Sequence, residues 1–239
     1  MVFVVIFAGG VGSRMGSEIP KQFLKVDEKP ILIHVVEKFN SHPLVDGIVV
    51  VSKKEYINYS RDLCNEYGLN KVLSVIEGGD TGQGSIRNGI YVVAEHFSND
   101  PDNDIVIIHD GVRPLITEQL ITDNIACAKK YGNSISVSKA IETVIRVDEN
   151  GMVLDVVDRS MCRNAKAPQC FRLSDIWNTH KKAEEDGINN AIDSATLMSS
   201  YGTKLYTVET DYENIKITTP NDYYMFKAVY EAKKENRNV

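Results

Sequence analysis

The chain has 239 residues, of which 43% are apolar and 25% are charged, a balance that supports one folded domain spanning residues 1–239. No apolar run reaches the roughly 18 residues that a membrane-spanning helix needs, and the apolar N-terminus lacks the basic leader of a signal peptide. The net charge of −6 argues against general nucleic-acid binding, because no basic stripe is present to neutralise a phosphate backbone. We therefore expect a cytoplasmic protein without membrane or nucleic-acid partners.

The cysteines do not form a recognisable framework. They number four and are scattered, with no C-x-x-C pair and no paired histidines beside them, at Cys64, Cys127, Cys162 and Cys170. This spacing predicts reduced thiols rather than a disulfide framework or a zinc site.

Runs rich in valine and isoleucine alternate with segments of helical spacing in the first half of the chain. The runs predict buried strands over Val2–Phe7, Gly47–Val51, Lys71–Ile76 and Ile105–His109. Apolar spacing predicts helices over Ile31–Phe39, Tyr56–Tyr67 and Gly84–Phe97. This alternation predicts right-handed βαβ units in a doubly wound, mostly parallel α/β sheet, whose ligands bind beyond the carboxyl ends of the strands.

The second half of the chain continues this pattern after Ile105–His109. Helices are predicted over Glu118–Tyr131, Leu173–Asp186, Ala191–Tyr201 and Pro220–Lys234, the last with proline at its first position. Strands are predicted over Ser134–Ser138, Lys204–Glu209 and Asn214–Thr218.

One segment interrupts the alternation. The β-rich runs Thr143–Val147 and Met152–Val157 flank a turn that contains Asn150-Gly151, which is a hairpin signal. A hairpin inside an α/β domain could project as an arm over about residues 141–158 and serve dimerisation. The alternative is an edge hairpin folded back on its own sheet.

A glycine-rich loop follows the first predicted strand. Gly9, Gly10 and Gly12 leave backbone N–H groups uncovered, so that a row of donors can surround phosphate oxygens. Arg14 and Lys21 bring two cations to the same place, an arrangement that favours a bound anion. The spacing matches neither the dinucleotide fingerprint nor a Walker loop. Taken without the two cations, the glycines could instead form a tight structural turn.

Two further groups of polar residues follow predicted strands. Gly78-Gly79-Asp80, with Ser85 nearby, could present backbone groups to the edge of a base, or Asp80 could cap the following helix. Asp110 directly follows a buried strand, where a carboxylate suits a divalent cation that bridges phosphate oxygens. Arg113 could bind a phosphate, or could close the loop through an ion pair with Asp110. We expect His109, at the end of the same apolar strand, to be packed and hydrogen-bonded rather than a base.

These motifs together resemble one enzyme family. Ala8–Gly16 with Pro20–Leu24 is similar to the signature of sugar-phosphate and polyol-phosphate nucleotidyltransferases, and Pro20-Lys21-Gln22 is similar to the cytidylyltransferases that make CDP-methylerythritol or CDP-ribitol. The resemblance continues in order along nearly the whole chain, through Gly78–Asp80, His109–Pro114, Asp158-Arg159, Pro168-Gln169 and Asn214–Pro220.

The resemblance implies a Rossmann-like nucleotidyltransferase that binds CTP, Mg²⁺ and a polyol phosphate and acts as a homodimer. The implied catalytic residues are Arg14, Lys21, Asp110 and Lys216, with Asp110 also at the metal. The implied nucleotide-binding residues are Ala8, Gly9, Gly10, Gly12, Gly79, Asp80 and Ser85. The implied acceptor-binding residues are Gly111, Arg113, Thr143, Arg159 and Asp193, of which Thr143 and Arg159 reach across the dimer interface. No role is assigned to residues 81–84.

Two of these assignments have simpler alternatives. Arg159 could be a solvated surface arginine. Lys216, on its predicted strand, could lie on the solvated face with the flanking isoleucines turned inward, although a half-buried lysine without a counter-anion is costly.

The acceptor is the least determined part of the assignment. The methylerythritol enzymes carry threonines where this chain has Ala167 and Ile192, and both changes remove a hydroxyl that could bond the acceptor. The stretch from Lys29 to Phe39 resembles the ribitol-phosphate enzymes more closely. We therefore favour CMP transfer to ribitol 5-phosphate over methylerythritol 4-phosphate. Two competing hypotheses are a nucleotidyltransferase for another pair, such as UTP and a hexose phosphate, and a non-catalytic nucleotide-binding module.

Overall fold

The computed structural model describes residues 1–10, 19–188 and 191–235. Its strands, in chain order, are β1 (Val2–Phe7), β2 (Lys25–Val26), β3 (Lys29–Pro30), β4 (Gly47–Ser52), β5 (Val72–Glu77), β6 (Ile105–Asp110), β7 (Asn133–Lys139), β8 (Val144–Val147), β9 (Val153–Val157), β10 (Arg163–Arg172) and β11 (Thr207–Glu209). Its α-helices are α1 (Ile31–Asn40), α2 (Ile57–Glu66), α3 (Gly82–Val92), α4 (Glu118–Tyr131), α5 (Leu173–Glu185), α6 (Ser194–Ser200) and α7 (Pro220–Glu235). None of these helices is long and apolar enough to cross a membrane.

A seven-stranded sheet, in the order β11-β7-β10-β6-β1-β4-β5, forms the centre of the fold. β1 pairs in parallel with β4 and β6, and β4 pairs in parallel with β5, as expected for strands apolar on both faces. β10 runs antiparallel to both β6 and β7. The predicted mostly parallel α/β sheet is confirmed.

The sequence prediction differs from the structure mainly at four places. β10 was not predicted, because its charged first half and its proline lack the apolar pattern of the other strands. The strand predicted over Lys204–Glu209 is limited to the three residues of β11, and the helix predicted over Ala191–Tyr201 begins only at Ser194. The strand predicted over Asn214–Thr218 is wrong: this segment pairs with no strand and is tied to the loop after β6 by a bond from Ile217 N–H to the Val112 carbonyl, 2.9 Å.

Helices cover both faces of the sheet. One core cluster lies between the sheet and α1, α2 and α4, and a second lies between the sheet and α3, α5 and α6. α3 approaches β1 closely at Gly89, where an added Cβ would lie 2.4 Å from the Val5 Cγ1 atom. A third cluster joins Phe226 of α7 to Ile217 and Val112, and thereby fixes the 214–217 segment beside the end of β6.

The hairpin predicted for the middle of the chain is present, and β8 and β9 form a separate two-stranded sheet. Residues of both strands are exposed, including apolar side chains such as Ile145 at 47% and Val156 at 65%. The hairpin therefore does not pair with the central sheet, contrary to the alternative of an edge hairpin folded onto it.

His109 lies at the end of β6 and is fully buried. Its Nε2 lies 3.1 Å from the Arg113 carbonyl, and its ring packs against Phe39 with a centroid distance of 5.0 Å. Burial disfavours the charged imidazole and lowers the pKa of His109 to about 4. The expectation of a packed, hydrogen-bonded histidine is confirmed, and this side chain holds the loop from Asp110 to Arg113.

The neutral His109 predicts a pH-dependent stability that a variant can isolate. Between the ordinary histidine pKa of about 6.5 and the lowered folded value, the unfolded chain binds a proton that the folded chain does not. The stability that the neutral His109 contributes is therefore fully present above pH 6.5, and it is lost as the pH falls toward 4. We expect the free energy of unfolding to lose about 2 kcal/mol more between pH 7.5 and 5.0 in the wild type than in His109→Gln.

Urea unfolding at the two pH values measures this difference. The matched control is His96→Gln, at an exposed histidine on the surface, which should keep the wild-type pH dependence. An equal loss of stability in wild type and His109→Gln would contradict the assignment of a neutral, buried imidazole.

Candidate active site

Three adjacent cavities lie at the carboxyl ends of β1, β4, β5 and β6. The first, called here the central cavity, has a volume of about 350 Å³ and is bordered by Gly9, Gly10, Lys21, Asp110 and Lys216. The Lys53 cavity, about 340 Å³, is bordered by Lys53, Glu77, Gly79, Asp80 and Ser85. The Lys166 cavity, also about 340 Å³, is bordered by Gln83, Asp110, Arg113, Lys166, Ile192 and Lys216.

Shared residues join the cavities into one cleft. Gly9, Gly79, Asp80 and Ser85 border both the central and the Lys53 cavity. Asp110 and Lys216 border both the central and the Lys166 cavity. The cleft is therefore continuous from the Lys53 cavity to the Lys166 cavity, with Asp110 and Lys216 between the central and the Lys166 cavity.

Lys21 and the start of the glycine-rich loop form one side of the central cavity. Lys21 is only 8% exposed, and Gln22 beside it donates from Nε2 to the Ala8 carbonyl, 2.8 Å, which ties the two segments together. A Cβ added at Gly10 would lie 3.6 Å from the Lys21 Cε atom. The structure thus brings Lys21 to Ala8, Gly9 and Gly10, while Gly12 and Arg14 lie outside the described residues.

The turn between β5 and α3 forms the Lys53 cavity. Gly79 N–H lies 3.2 Å from the Ser85 Oγ, which also donates to the Thr81 carbonyl at 3.0 Å. A Cβ added at Gly79 would lie 2.8 Å from the Gly84 carbonyl carbon, so glycine is required for this close approach. Thr81, not Asp80, caps α3 by accepting from Gly84 N–H at 2.9 Å. The capping alternative for Asp80 is therefore wrong, and its carboxylate remains at the cavity wall.

Asp110 is the buried charge at the centre of the cleft. Its carboxylate lies 3.2 Å from Arg113 Nε and 2.6 Å from Lys216 Nζ. Burial alone would raise the pKa of Asp110, but the adjacent Arg113 and Lys216 outweigh it, so the pKa lies below the usual value. Asp110 is therefore ionised at neutral pH, and the expected ion pair with Arg113 is present together with a second cation.

Lys216 reaches the cleft from a segment that is not a strand. Its side chain is 42% exposed, yet its Nζ lies within 5.8 Å of the Phe7 ring centroid and pairs with Asp110. Ile215 and Ile217 are turned inward, as in the solvated-face alternative, but the exposed Lys216 side chain is paired with Asp110 at the cleft. Arg113 is held in the same region because its Nη1 donates to the Asn214 carbonyl at 2.7 Å.

The far wall of the Lys166 cavity comes from β10 and the start of α6. Asp193 caps α6 by accepting from Thr196 N–H, 2.8 Å, and also accepts from Gln169 Nε2, 2.9 Å. Ala167 and Ile192 contribute apolar surface beside it. Asp193 therefore lies at the cleft, as predicted, but its oxygens are engaged by the protein.

Thr143 and Arg159 do not reach the cleft within this chain. Both are exposed at the base of the hairpin, and Arg159 Nη1 donates to the Ile141 carbonyl at 2.7 Å. Among the described residues, neither borders any of the three cavities.

Sequence reasoning missed three residues that border the cleft. Lys53 follows β4 and borders the Lys53 cavity. Lys166 donates from Nζ to the Tyr212 and Asn214 carbonyls at 3.1 and 3.2 Å, and burial together with Arg113 lowers its pKa. Gln83 lies on the first turn of α3. Lys53 could have been found from its place at a strand end, whereas Lys166 lies on the strand that was not predicted.

The side chains at the cleft include several cations, which are suited to phosphate groups. Lys21, Arg113, Lys166 and Lys216 border adjacent cavities, which Asp80, Asp110 and Asp193 also border. Among the described residues there is no group of three or more histidine, cysteine or acidic side chains that could hold a metal by itself.

Comparisons with known proteins agree with this geometry. Residues 2–232 match the family model described as IspD, 2-C-methyl-D-erythritol 4-phosphate cytidylyltransferase. The chain is 47% identical to a ribitol-5-phosphate cytidylyltransferase of Streptococcus agalactiae serotype III, over 98% of this chain and 97% of the relative. It is 38% identical to a 2-C-methyl-D-erythritol 4-phosphate cytidylyltransferase of Clostridium novyi, over 95% of each chain.

Solved structures show the same fold. A 4-diphosphocytidyl-2C-methyl-D-erythritol synthase from Anaerococcus prevotii superposes with a TM-score of 0.83 at 24% identity and covers 96% of both chains. The cytidylyltransferase IspD of Francisella tularensis superposes with a TM-score of 0.76 at 29% identity, over 96% of this chain and 98% of that one. From the family match and these relatives, the chain belongs to the IspD family of cytidylyltransferases.

Proposed function

We propose that this enzyme transfers CMP from CTP to ribitol 5-phosphate, releasing pyrophosphate and forming CDP-ribitol. The observation that carries the proposal is the place of Asp110 and Lys216, which border both the central cavity and the Lys166 cavity. A triphosphate in the first and a phosphorylated acceptor in the second would meet at these two residues. The cytoplasmic location inferred from the sequence remains a prediction.

The reaction needs positioning and charge stabilisation more than proton transfer. A phosphate oxygen of the acceptor attacks the α-phosphorus of CTP, and the bond to the bridging oxygen breaks, so that its electron pair leaves with pyrophosphate. The nucleophile is already an anion and requires no strong base. Lys21 and Arg14 would stabilise the α-phosphate and the leaving pyrophosphate. Lys216 would stabilise the α-phosphate from the side of the acceptor.

Nucleotide recognition is proposed for the loop after β1 and the turn before α3. Backbone groups of Ala8, Gly9, Gly10 and Gly12 would line the triphosphate and the base. Gly79, Asp80 and Ser85 would read cytosine in the Lys53 cavity, which all three residues border.

The expected Mg²⁺ fits this cleft only together with a nucleotide. Asp110 is a buried carboxylate at the central cavity, and one such oxygen donor suits an ion that would take its remaining ligands from phosphate oxygens and water. Asp110 would hold the ion, and the ion would neutralise triphosphate charge when bound.

Two observations favour ribitol 5-phosphate as the acceptor. The 47% identical relative is a ribitol-5-phosphate cytidylyltransferase, whereas the methylerythritol relative is 38% identical. The apolar Ala167 and Ile192 at the cavity wall also lack the hydroxyls of the methylerythritol pattern. The family match keeps 2-C-methyl-D-erythritol 4-phosphate as the second candidate. Gly111, Arg113 and Asp193 would position either acceptor.

An activity panel tests the assignment. Pyrophosphate release is measured with CTP and ribitol 5-phosphate, methylerythritol 4-phosphate or glycerol 3-phosphate, and the best acceptor is repeated with UTP. We expect the highest kcat/KM for CTP with ribitol 5-phosphate. A higher kcat/KM for methylerythritol 4-phosphate would assign the second candidate, and the absence of pyrophosphate release with every acceptor would reject the proposed reaction.

Lys21→Ala tests the cation of the central cavity. Removing one charge-stabilising donor should lower kcat by about 10²- to 10³-fold, while the far-ultraviolet circular dichroism spectrum stays that of the wild type. Exposed Lys227→Ala on α7 is the matched control and should keep wild-type turnover. A folded Lys21→Ala enzyme with near-normal kcat would remove Lys21 from the mechanism.

We also propose that the hairpin of one subunit completes the site of a second. Its exposed apolar side chains need cover, and Thr143 and Arg159 lie at its base, away from the cleft of their own subunit. In a dimer these two residues would bind the acceptor phosphate of the partner's site.

Subunit mixing tests this arrangement directly. Arg159→Ala and Lys21→Ala should each be nearly inactive alone, because one lacks the arm contact and the other lacks the central cation. After random subunit exchange between equal amounts of the two variants, half of the dimers would be mixed. One of the two sites in each mixed dimer would be intact, so about a quarter of wild-type activity should return. Activity no greater than the average of the two variants would show that Arg159 does not serve a neighbouring subunit.

A further inference from the structure

Gln83 is an unusual side chain at the wall of the Lys166 cavity. It is only 8% exposed, and its amide nitrogen and oxygen are buried without a hydrogen-bond partner among the described residues. The neighbouring polar groups are paired: Thr81 caps α3, and the Ser85 hydroxyl bonds to the Thr81 carbonyl. The start of α3 is thus well formed, and a loose helix end does not explain why the Gln83 amide lacks partners.

A buried amide without partners is unfavourable unless a bound molecule supplies them. A second glutamine at the same cavity shows the contrast. Gln169 donates from Nε2 to Asp193 at 2.9 Å and accepts through Oε1 from Ala195 N–H at 3.0 Å. Both of its polar atoms are thus used by the protein, whereas those of Gln83, which lies between the Lys166 cavity and a neighbouring cavity of about 170 Å³, have no partner among the described residues.

The charges around the cavity indicate which part of a ligand Gln83 would meet. Arg113, Lys166 and Lys216 are cations and favour a phosphate. A neutral carboxamide offers one acceptor and two donors, whichever way the group is oriented. This combination matches hydroxyl groups, which both donate and accept. The apolar Ala167 and Ile192 at the same cavity provide no side-chain partner for such hydroxyls.

We propose that Gln83 binds hydroxyl groups on the carbon chain of the acceptor and thereby selects a polyol phosphate by its uncharged part. This inference rests on the proposed function, because it names the recognition element of the same acceptor site. In this arrangement Arg113, Lys166 and Lys216 would bind the phosphate of the acceptor, and the Gln83 carboxamide would bind its hydroxyl groups.

Gln83→Met is the most direct test, because methionine keeps the length of the side chain and lacks the carboxamide that could bond to a ligand. The KM for ribitol 5-phosphate should rise about 5- to 30-fold, as expected for one or two lost neutral hydrogen bonds. The KM for CTP should stay within about twofold of wild type. The midpoint of thermal unfolding without ligands should be equal to or above that of the wild type, since no native hydrogen bond is lost.

Gln119→Met is the matched control. Gln119 is exposed on α4, where its Nε2 donates to Asp123 at 2.8 Å, so both KM values should remain those of the wild type. An unchanged KM for ribitol 5-phosphate in Gln83→Met would overturn the inference. An equal rise in the KM for CTP, or a lower unfolding midpoint, would overturn it too, because Gln83 would then serve the nucleotide or the fold.

Calorimetry separates this inference from the proposed reaction. Ribitol 5-phosphate is titrated into wild type and Gln83→Met without CTP, so that binding is read without turnover. A 5- to 30-fold weaker Kd in the variant supports the role of Gln83 even if the wild type released no pyrophosphate. Equal Kd values, or no binding to either protein, would overturn it.

Discussion

The buried carboxylate of Asp110 is the interaction on which the cleft depends. It lies at the end of a central parallel strand, and it pairs with Arg113 from the same loop and with Lys216 from the segment before α7. An unpaired carboxylate at this depth would be strongly unfavourable, so the two cations and the carboxylate must be placed together. This requirement joins residues that are about a hundred positions apart in the chain.

Asn214 reinforces the same connection through neutral bonds. Its carbonyl accepts from both Arg113 and Lys166, and its side-chain nitrogen donates to the Ala167 carbonyl at 2.8 Å. The loop after β6, the middle of β10 and the segment before α7 are thereby fixed relative to one another. Positioning of this kind is what a reaction between two phosphorylated molecules requires, because catalysis here rests on placing charges.

Much of the fold could be predicted because its determinants are local. The apolar runs of β1, β4 and β6 are buried on both faces, so a continuous hydrophobic pattern identifies them. β10 has no such pattern, since its first half is exposed and its identity as a strand comes from pairing with β6 and β7. The segment around Lys216 shows the opposite error, because its alternating isoleucines favour a strand that the structure does not contain. Side-chain packing and one backbone hydrogen bond hold this segment instead.

The candidate site was predictable to the extent that its residues follow strands. Lys21, Gly79 and Asp110 could be placed in one cleft because parallel strands direct their carboxyl ends to the same edge of the sheet. Gln83 and Lys166 could not, since neither residue type nor spacing distinguishes them from surface side chains. Their significance comes from burial and from the partners that they have or lack, which only three-dimensional structure provides.

The separation of the cleft into cavities built from different chain segments has a consequence for the evolution of substrate choice. The residues around Lys21 and Gly79 come from the first third of the chain, whereas Ala167 and Ile192 come from β10 and the turn before α6. Under the proposed function, substitutions in the second set would change the acceptor and leave the nucleotide contacts in place. Relatives with a common donor and divergent products are the natural outcome of such modular architecture, and the same wall is the place to begin when redesigning the product.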